Sequence, residues 1–314
     1  MKTMLKKTIQ LRCDCGRMPA EIIARDRAEL QKTFTCECGK KFQYLDGFIK
    51  FYFYGWDHEI AQYIAISDYM EFGHVNVEVG IGKILKLKEG VKKIHHFSAI
   101  PQGEKFIIIG EYRFPLVEKN ILKSENKLDT IWISPSVAPD VSEDNRAKLG
   151  ETIKIGYAIY ADKAIPTSPA WSIIFKIARE LMIDERWRAA LLEIASAFEV
   201  FIADFCQKNY QFSPIARRPE LIQYIQKLMI KKGYIKTESK NPEWKGLKSD
   251  MSDYLKEWHD KVKEKRIGVF HRGEPICNTE TREAYQAVFN AIKEIELESI
   301  FDLMPDTVSH HFVV

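Results

Sequence analysis

Nowhere in its 314 residues does the chain hold the roughly 20 consecutive apolar residues that a membrane-spanning helix needs. The opening segment, Met1 to Lys7, is basic but no apolar stretch follows it. A secretory signal is therefore not expected, and an intracellular, cytoplasmic protein with no membrane partner is. A Walker A loop, a Rossmann glycine pattern and a His-Glu-x-x-His helix are all absent, which sets aside the chemistries those motifs carry. No internal repeat and no low-complexity tract is present, so a solenoid or a disordered array is not expected. Cysteine is scarce as well. Six in so long a chain do not make a disulfide scaffold, and four of them sit in two tight pairs near the N-terminus, a distribution that favours metal over disulfides.

Hydrophobic residues make up 46% of the chain and charged residues 29%, an ordinary globular balance, and the length predicts two or three domains. A net charge of +3 conceals an asymmetry. Residues 208–272 hold 16 Lys and Arg against 8 Asp and Glu, whereas the last 42 residues hold 2 against 8. A basic segment inside a near-neutral protein fits a polyanionic partner or else a solvated Lys-rich helix surface.

Three textures divide the chain into an α+β multidomain protein: a small zinc knuckle, a β-rich middle domain and a C-terminal α-helical bundle. The boundaries fall at 1–45, 46–165 and 166–314. The middle part alternates in short runs rich in Val, Ile, Tyr and Phe, at Val75–Val79, Phe106–Phe114, Thr130–Ile133 and Thr152–Tyr160. One helix, His58 to Met70, is expected among them. From Ala170 the pattern turns helical. Trp187 to Cys206 is apolar around most of its circumference, as a buried central helix is. Leu221 to Lys232 is a second helix, stopped by Gly233. Ser249 to His271 reads as a third, with Leu255, Trp258, Val262 and Val269 on its apolar face. The last is capped by Asn278 or Thr279 and presents Tyr285, Val288, Phe289, Ile292 and Ile295.

Cys13-Asp14-Cys15-Gly16 and Cys36-Glu37-Cys38-Gly39 are near copies of one another. Each pair with its glycine can form a knuckle in which the glycine permits a tight turn and backbone N–H groups face the thiolates. Cys13, Cys15, Cys36 and Cys38 together predict a closed four-thiolate zinc site, structural because no coordination position is left open. The spacing is Cys-x-Cys where the commoner ribbon has Cys-x-x-Cys.

Residues 266–271 read Arg-Ile-Gly-Val-Phe-His, followed by Arg272-Gly273-Glu274. With Leu191 to Glu199 as the central helix, this segment resembles the HEPN family over about residues 175–300. That family is a four- or five-helix bundle with an Arg-x(4–6)-His motif near its last helix. The resemblance implies a dimeric, metal-independent endoribonuclease of the toxin or antiviral-defence type, with an antitoxin or activator as a further partner. The position after the motif arginine is usually polar in active members and is Ile267 here. Cleaving RNA without metal needs a base, an acid and a cation for the phosphorane charge. His271 offers the imidazole that can take and give a proton near neutrality, and Arg266 offers a bidentate grip on phosphate. On a regular helix five residues turn the chain by about 140° and advance it about 7.5 Å, so the two side chains are expected to converge only across a homodimer. A non-catalytic bundle that dimerises and binds nucleic acid or nucleotide is the alternative.

On the central helix Glu193, Ser196 and Asp204 form a polar stripe, and Glu193 is the preferred group to orient His271 or pair with Arg266. Arg217, Arg218, Lys231, Lys232, Lys265 and Arg272 are the candidate phosphate contacts. The adjacent pairs His95-His96 and His310-His311 diverge too much to chelate and read as loop and tail, and His259 reads as exposed.

Overall fold

The computed structural model describes residues 6–18, 22–24, 27–54, 59–103, 105, 107–115, 128–210, 220–239 and 242–309. The chain forms two compact units, one of residues 1–167 with 304–314 and one of 168–303, so the second unit is inserted within the sequence of the first.

The first unit is built on one eight-stranded sheet. Its strands are β1 (Lys6–Ile9), β2 (Ile22–Ala24), β5 (Tyr69–Glu78), β6 (Lys83–Gln102), β7 (Ile107–Pro115), β8 (Leu128–Val137), β9 (Thr152–Lys163) and β10 (Asp306–Ser309). They run in the order β2-β1-β10-β5-β9-β6-β8-β7, and every pairing is antiparallel except that of β10 with β5. A separate hairpin joins β3 (Thr33–Thr35) to β4 (Lys41–Gln43). Leu85, Leu87, Val91, Ile94 and Phe97 of β6 meet Ile131 and Ile133 of β8 and Ile155 and Ile159 of β9 in one core drawn entirely from the strands, as in a sheet curved on itself. Outside it, α1 (Tyr44–Tyr54) and α2 (Glu59–Ile66) bury Phe51, Ala61 and Ile64 against Met70 and Tyr160.

The four runs rich in Val, Ile, Tyr and Phe fall on β5, β7, β8 and β9, except that Val79 is in a turn and Phe106 lies outside the described residues; β6 is a strand of 20 residues that those runs did not include. Its first part pairs with β8 and its second with β9, with register shifts on both sides, so strict alternation breaks and lysines fill the outward positions. His95 and His96 therefore lie on a strand, not in a loop; the His95 imidazole meets Asp162 at 3.0 Å and His96 stacks on Tyr63 with ring centroids 4.7 Å apart. The expected helix from His58 to Met70 is shorter, because strand β5 begins at Tyr69.

Four longer helices organise the second unit, α3 (Ala170–Ile183), α4 (Trp187–Asn209), α5 (Leu221–Lys231) and α9 (Asn278–Ile295), with the short α6 (Trp244–Asp250), α7 (Asp253–Trp258) and α8 (Lys265–His271) between α5 and α9. Ala190, Leu191, Ile194, Phe198, Phe201 and Ile202 make α4 the buried centre that its composition predicts. Phe175 stacks on Tyr285 at 3.9 Å, and Trp258 lies 4.6 Å from Phe198. The expected single helix from Ser249 to His271 is broken. Ser252 caps α7 through its hydroxyl, which accepts from the Leu255 N–H at 3.4 Å, and a π-helical turn, His259–Glu264, separates α7 from α8. The buried set Leu255, Trp258, Val262 and Val269 is nevertheless the one the sequence predicts. Helix α9 is capped by Cys277, not by Asn278 or Thr279, with the Cys277 N–H donating to Glu280 Oε2 at 3.1 Å. No helix among the described residues is long and apolar enough to cross a membrane.

Candidate functional site

Two constellations carry chemistry, one in each unit. In the first unit, the two cysteine knuckles have the same backbone geometry. The Gly16 N–H donates to the Cys13 carbonyl at 3.0 Å and the Gly39 N–H to the Cys36 carbonyl at 2.8 Å. Gly16 and Gly39 hold φ of 85° and 84°, a conformation that side chains with a Cβ rarely adopt. The Cys13 and Cys36 N–H groups then donate to the carbonyls of Arg17 and Lys40, both at 2.9 Å.

These two turns bring four sulfurs within 4.8 Å of one another, with Cys13 Sγ 3.6 Å from Cys38 Sγ and Cys15 Sγ 3.8 Å from Cys36 Sγ. All four are free thiols. A tetrahedral site with metal–sulfur bonds of about 2.3 Å has sulfur–sulfur edges of about 3.8 Å, so the cluster has the dimensions to hold one metal ion. The backbone N–H of Lys40 pulls the Cys38 thiol down to about 7. At Cys13 the Cys15 N–H also favours the thiolate, but burial and the three neighbouring sulfurs outweigh it and push the thiol up to about 12. Four thiols this close cannot all ionise unless a cation joins them. Asp14 and Glu37, between the cysteines, are held by Lys50 and Arg17, each at 2.5 Å, and Lys50 holds the Asp14 carboxyl below its usual range.

The second constellation is a cleft of about 320 Å³ within the helical unit. Ala195 and Glu199 of α4 line one wall, Arg266, Ile267 and His271 of α8 another, and Trp244, Trp258, Val262 and Lys263 complete it with Leu221. Arg266 and His271 thus share one cleft in a single chain although α8 is regular between them.

Arg266 Nη1 bonds Glu199 Oε1, and both side chains are a little over one-third exposed. Glu199 is the partner of Arg266, where the polar stripe on this helix suggested Glu193; Glu193 has no hydrogen bond or ion pair among the described residues and does not line the cleft. Behind α8, a Cβ on Gly268 would meet Glu274 Oε2 at 2.1 Å, the far end of a partly exposed side chain that can move aside. Arg188 Nη2 reaches the carbonyls of Gly273 and Glu274 at 3.2 and 3.3 Å and ties the end of α8 to α4.

The basic candidates scatter. Lys265 bonds Glu280, and Arg272 Nε meets Glu274 at 2.8 Å. Lys232 Nζ donates to the carbonyls of Glu294 and Ile295, both at 3.2 Å, and so caps the C-terminal end of α9. Lys231 lies 5.6 Å from the centre of the Tyr210 ring, at a separate surface recess. Arg217, Arg218 and His310-His311 lie outside the described residues. His259, expected to be exposed, is buried, with Nδ1 3.0 Å from Asp260 Oδ1 and its ring 5.7 Å from that of Trp244. The sequence signal for the missed residues was weak. Trp244 stands apart in a short polar helix, and Glu199 is one of three acidic residues on α4.

No family model, no curated protein and no solved structure matches this chain.

Proposed function

We propose that the helical unit is a metal-independent endoribonuclease of the toxin or antiviral-defence type. The observation that carries this reading is the joint lining of one cleft by Arg266 and His271, with Glu199 holding the guanidinium. Arg266 binds the scissile phosphate and neutralises charge as the phosphorane forms. His271, at the exposed end of α8, takes the proton of the 2′-OH or delivers one to the leaving 5′-oxygen. Glu199 orients Arg266 between turnovers. The resemblance to HEPN bundles supplies the RNA substrate and the defence setting. On the same reading the unit acts as a homodimer whose second copy meets the face carrying Phe270, which is 45% exposed beside His271. An antitoxin or an activator would restrain or release it.

In the first unit, Cys13, Cys15, Cys36 and Cys38 hold zinc in a structural role, because four thiolates complete a tetrahedral shell.

A second reading is a bundle that binds nucleic acid or nucleotide without cutting it. Ile267 favours it, since an apolar side chain stands beside Arg266 in the cleft lining. Incubating purified protein with labelled RNAs in EDTA separates the two. The ribonuclease reading expects products with 2′,3′-cyclic phosphate ends, and loss of about 10²- to 10⁴-fold in rate in His271→Ala and Arg266→Ala. Cleavage equal in wild type and both variants would remove these residues from the chemistry. Salt-dependent binding of RNA that stays intact would establish the second reading.

A further inference from the structure

The cleft contains a group that neither phosphate binding nor proton transfer uses. Trp258 is 2% exposed, lines the cleft, and its Nε1–H has no hydrogen-bond partner among the described residues. Buried indoles ordinarily find an acceptor, because an unmet donor away from water is costly. The ring is packed on several sides. It is held 4.6 Å from Phe198 and 5.9 Å from Trp244, and Val262 of the π-helical turn adjoins it in the same wall.

Trp244 supplies a second aromatic surface to the cleft, half-buried, with Lys263 Nζ 4.8 Å from its ring centre. An occupant suited to these walls is flat and apolar on its faces and presents a hydrogen-bond acceptor at its edge, since an indole N–H only donates. It also carries an anion within reach of Arg266 and Lys263. A nucleotide combines all three properties, and single-stranded RNA can splay a base into such a cavity where a duplex cannot.

We infer that this cleft is a nucleobase pocket, in which Trp244 holds the ring of a single-stranded RNA nucleotide by stacking and Trp258 Nε1–H selects bases that present a carbonyl oxygen. This deepens the ribonuclease reading and rests on it for the RNA substrate. Trp244 and Trp258 are specificity residues here, and neither takes part in proton transfer. Uracil, cytosine and guanine carry carbonyl oxygens that project about 1.2 Å beyond the ring toward a donor recessed in the wall, whereas the acceptors of adenine are nitrogens within the ring itself.

The test is a titration of ¹⁵N-labelled full-length protein with each of the four nucleoside 3′-monophosphates, following the indole N–H resonances. The Trp258 signal is the one missing from Trp258→Phe. Expected are a saturable shift of that signal and binding of the three carbonyl-bearing nucleotides about 3- to 10-fold tighter than adenosine monophosphate. Trp258→Phe should bring all four within about twofold, since it keeps an aromatic ring and loses the donor. Trp244→Ala should weaken all four by about tenfold or more. Should Trp258→Phe fail to fold, the Trp258 signal is assigned from its nuclear Overhauser contacts to Phe198, and its shift together with Trp244→Ala decides. An unmoved Trp258 resonance, no saturable binding by any nucleotide, or a base preference that survives in folded Trp258→Phe overturns the inference. The failures are distinguishable. RNA cleavage that needs Arg266 and His271 without a Trp258 shift retains the ribonuclease reading alone, whereas nucleotide binding through Trp258 with intact RNA retains only the pocket.

Discussion

At the scale of single residues, the proposed ribonuclease reading turns on the Arg266–Glu199 pair, which would aim the guanidinium at a phosphate. Both side chains are partly exposed, so the pair contributes little to stability, about 0–1 kcal/mol. Its effect lies in aiming the guanidinium, which otherwise has many rotamers. Glu199→Gln is therefore expected to leave the thermal midpoint within about 4 °C of wild type while lowering kcat for RNA cleavage roughly tenfold with little change in KM. Measuring both on the same preparation checks this. An activity loss no larger than the loss of folded protein would show that Glu199 is only a surface partner.

Among the elements, the knuckle pair is the one that the proposed zinc would stabilise. The strands β3 and β4 have three residues each, and the local apolar set is small, with Leu11, Leu30 and Leu45 at its centre. On the proposed zinc reading, metal binding adds to this packing what holds the two turns against their conformational entropy. Removing the metal with a strong chelator, or substituting Cys13→Ser, should raise hydrogen exchange at the amides of residues 12–17 and 33–43 by orders of magnitude. Amides of α4 and α9 should exchange as before, and RNA cleavage should persist. Unchanged protection in the knuckles after verified metal loss would mean that packing alone holds them. The same dependence on context explains the π-helical turn. Periodicity predicts which residues of 249–271 are buried, but not where the backbone gains the extra residue that brings Trp258 and Val262 into one wall.

For the molecule as a whole, the final strand is held by buried charge. Lys163 Nζ meets Asp306 Oδ2 at 2.7 Å with both side chains over nine-tenths buried, Thr167 Oγ1 donates to the same oxygen at 2.9 Å, and the Asp306 N–H donates to the Asp68 carbonyl at 2.9 Å. Breaking such a pair leaves one ion buried alone. Asp306→Ala should therefore destabilise the first unit by about 3 kcal/mol in urea unfolding, and joint replacement by Lys163→Met and Asp306→Leu should restore most of it. A single substitution costing under about 1 kcal/mol would sink this account. The sequence by itself determined the knuckle ligands, the helical character after Ala170, the buried faces of α4 and α9, and the strand segments rich in branched and aromatic residues. Each of these follows from local spacing, turn chemistry or side-chain period. Only the tertiary structure decided that β6 is a strand despite its lysines, that β10 pairs beside β5, that Arg266 answers to Glu199, and that Trp244 and Trp258 wall the cleft of Arg266 and His271. Those outcomes depend on contacts between residues far apart in the chain, and no local periodicity encodes which distant partner a side chain will meet.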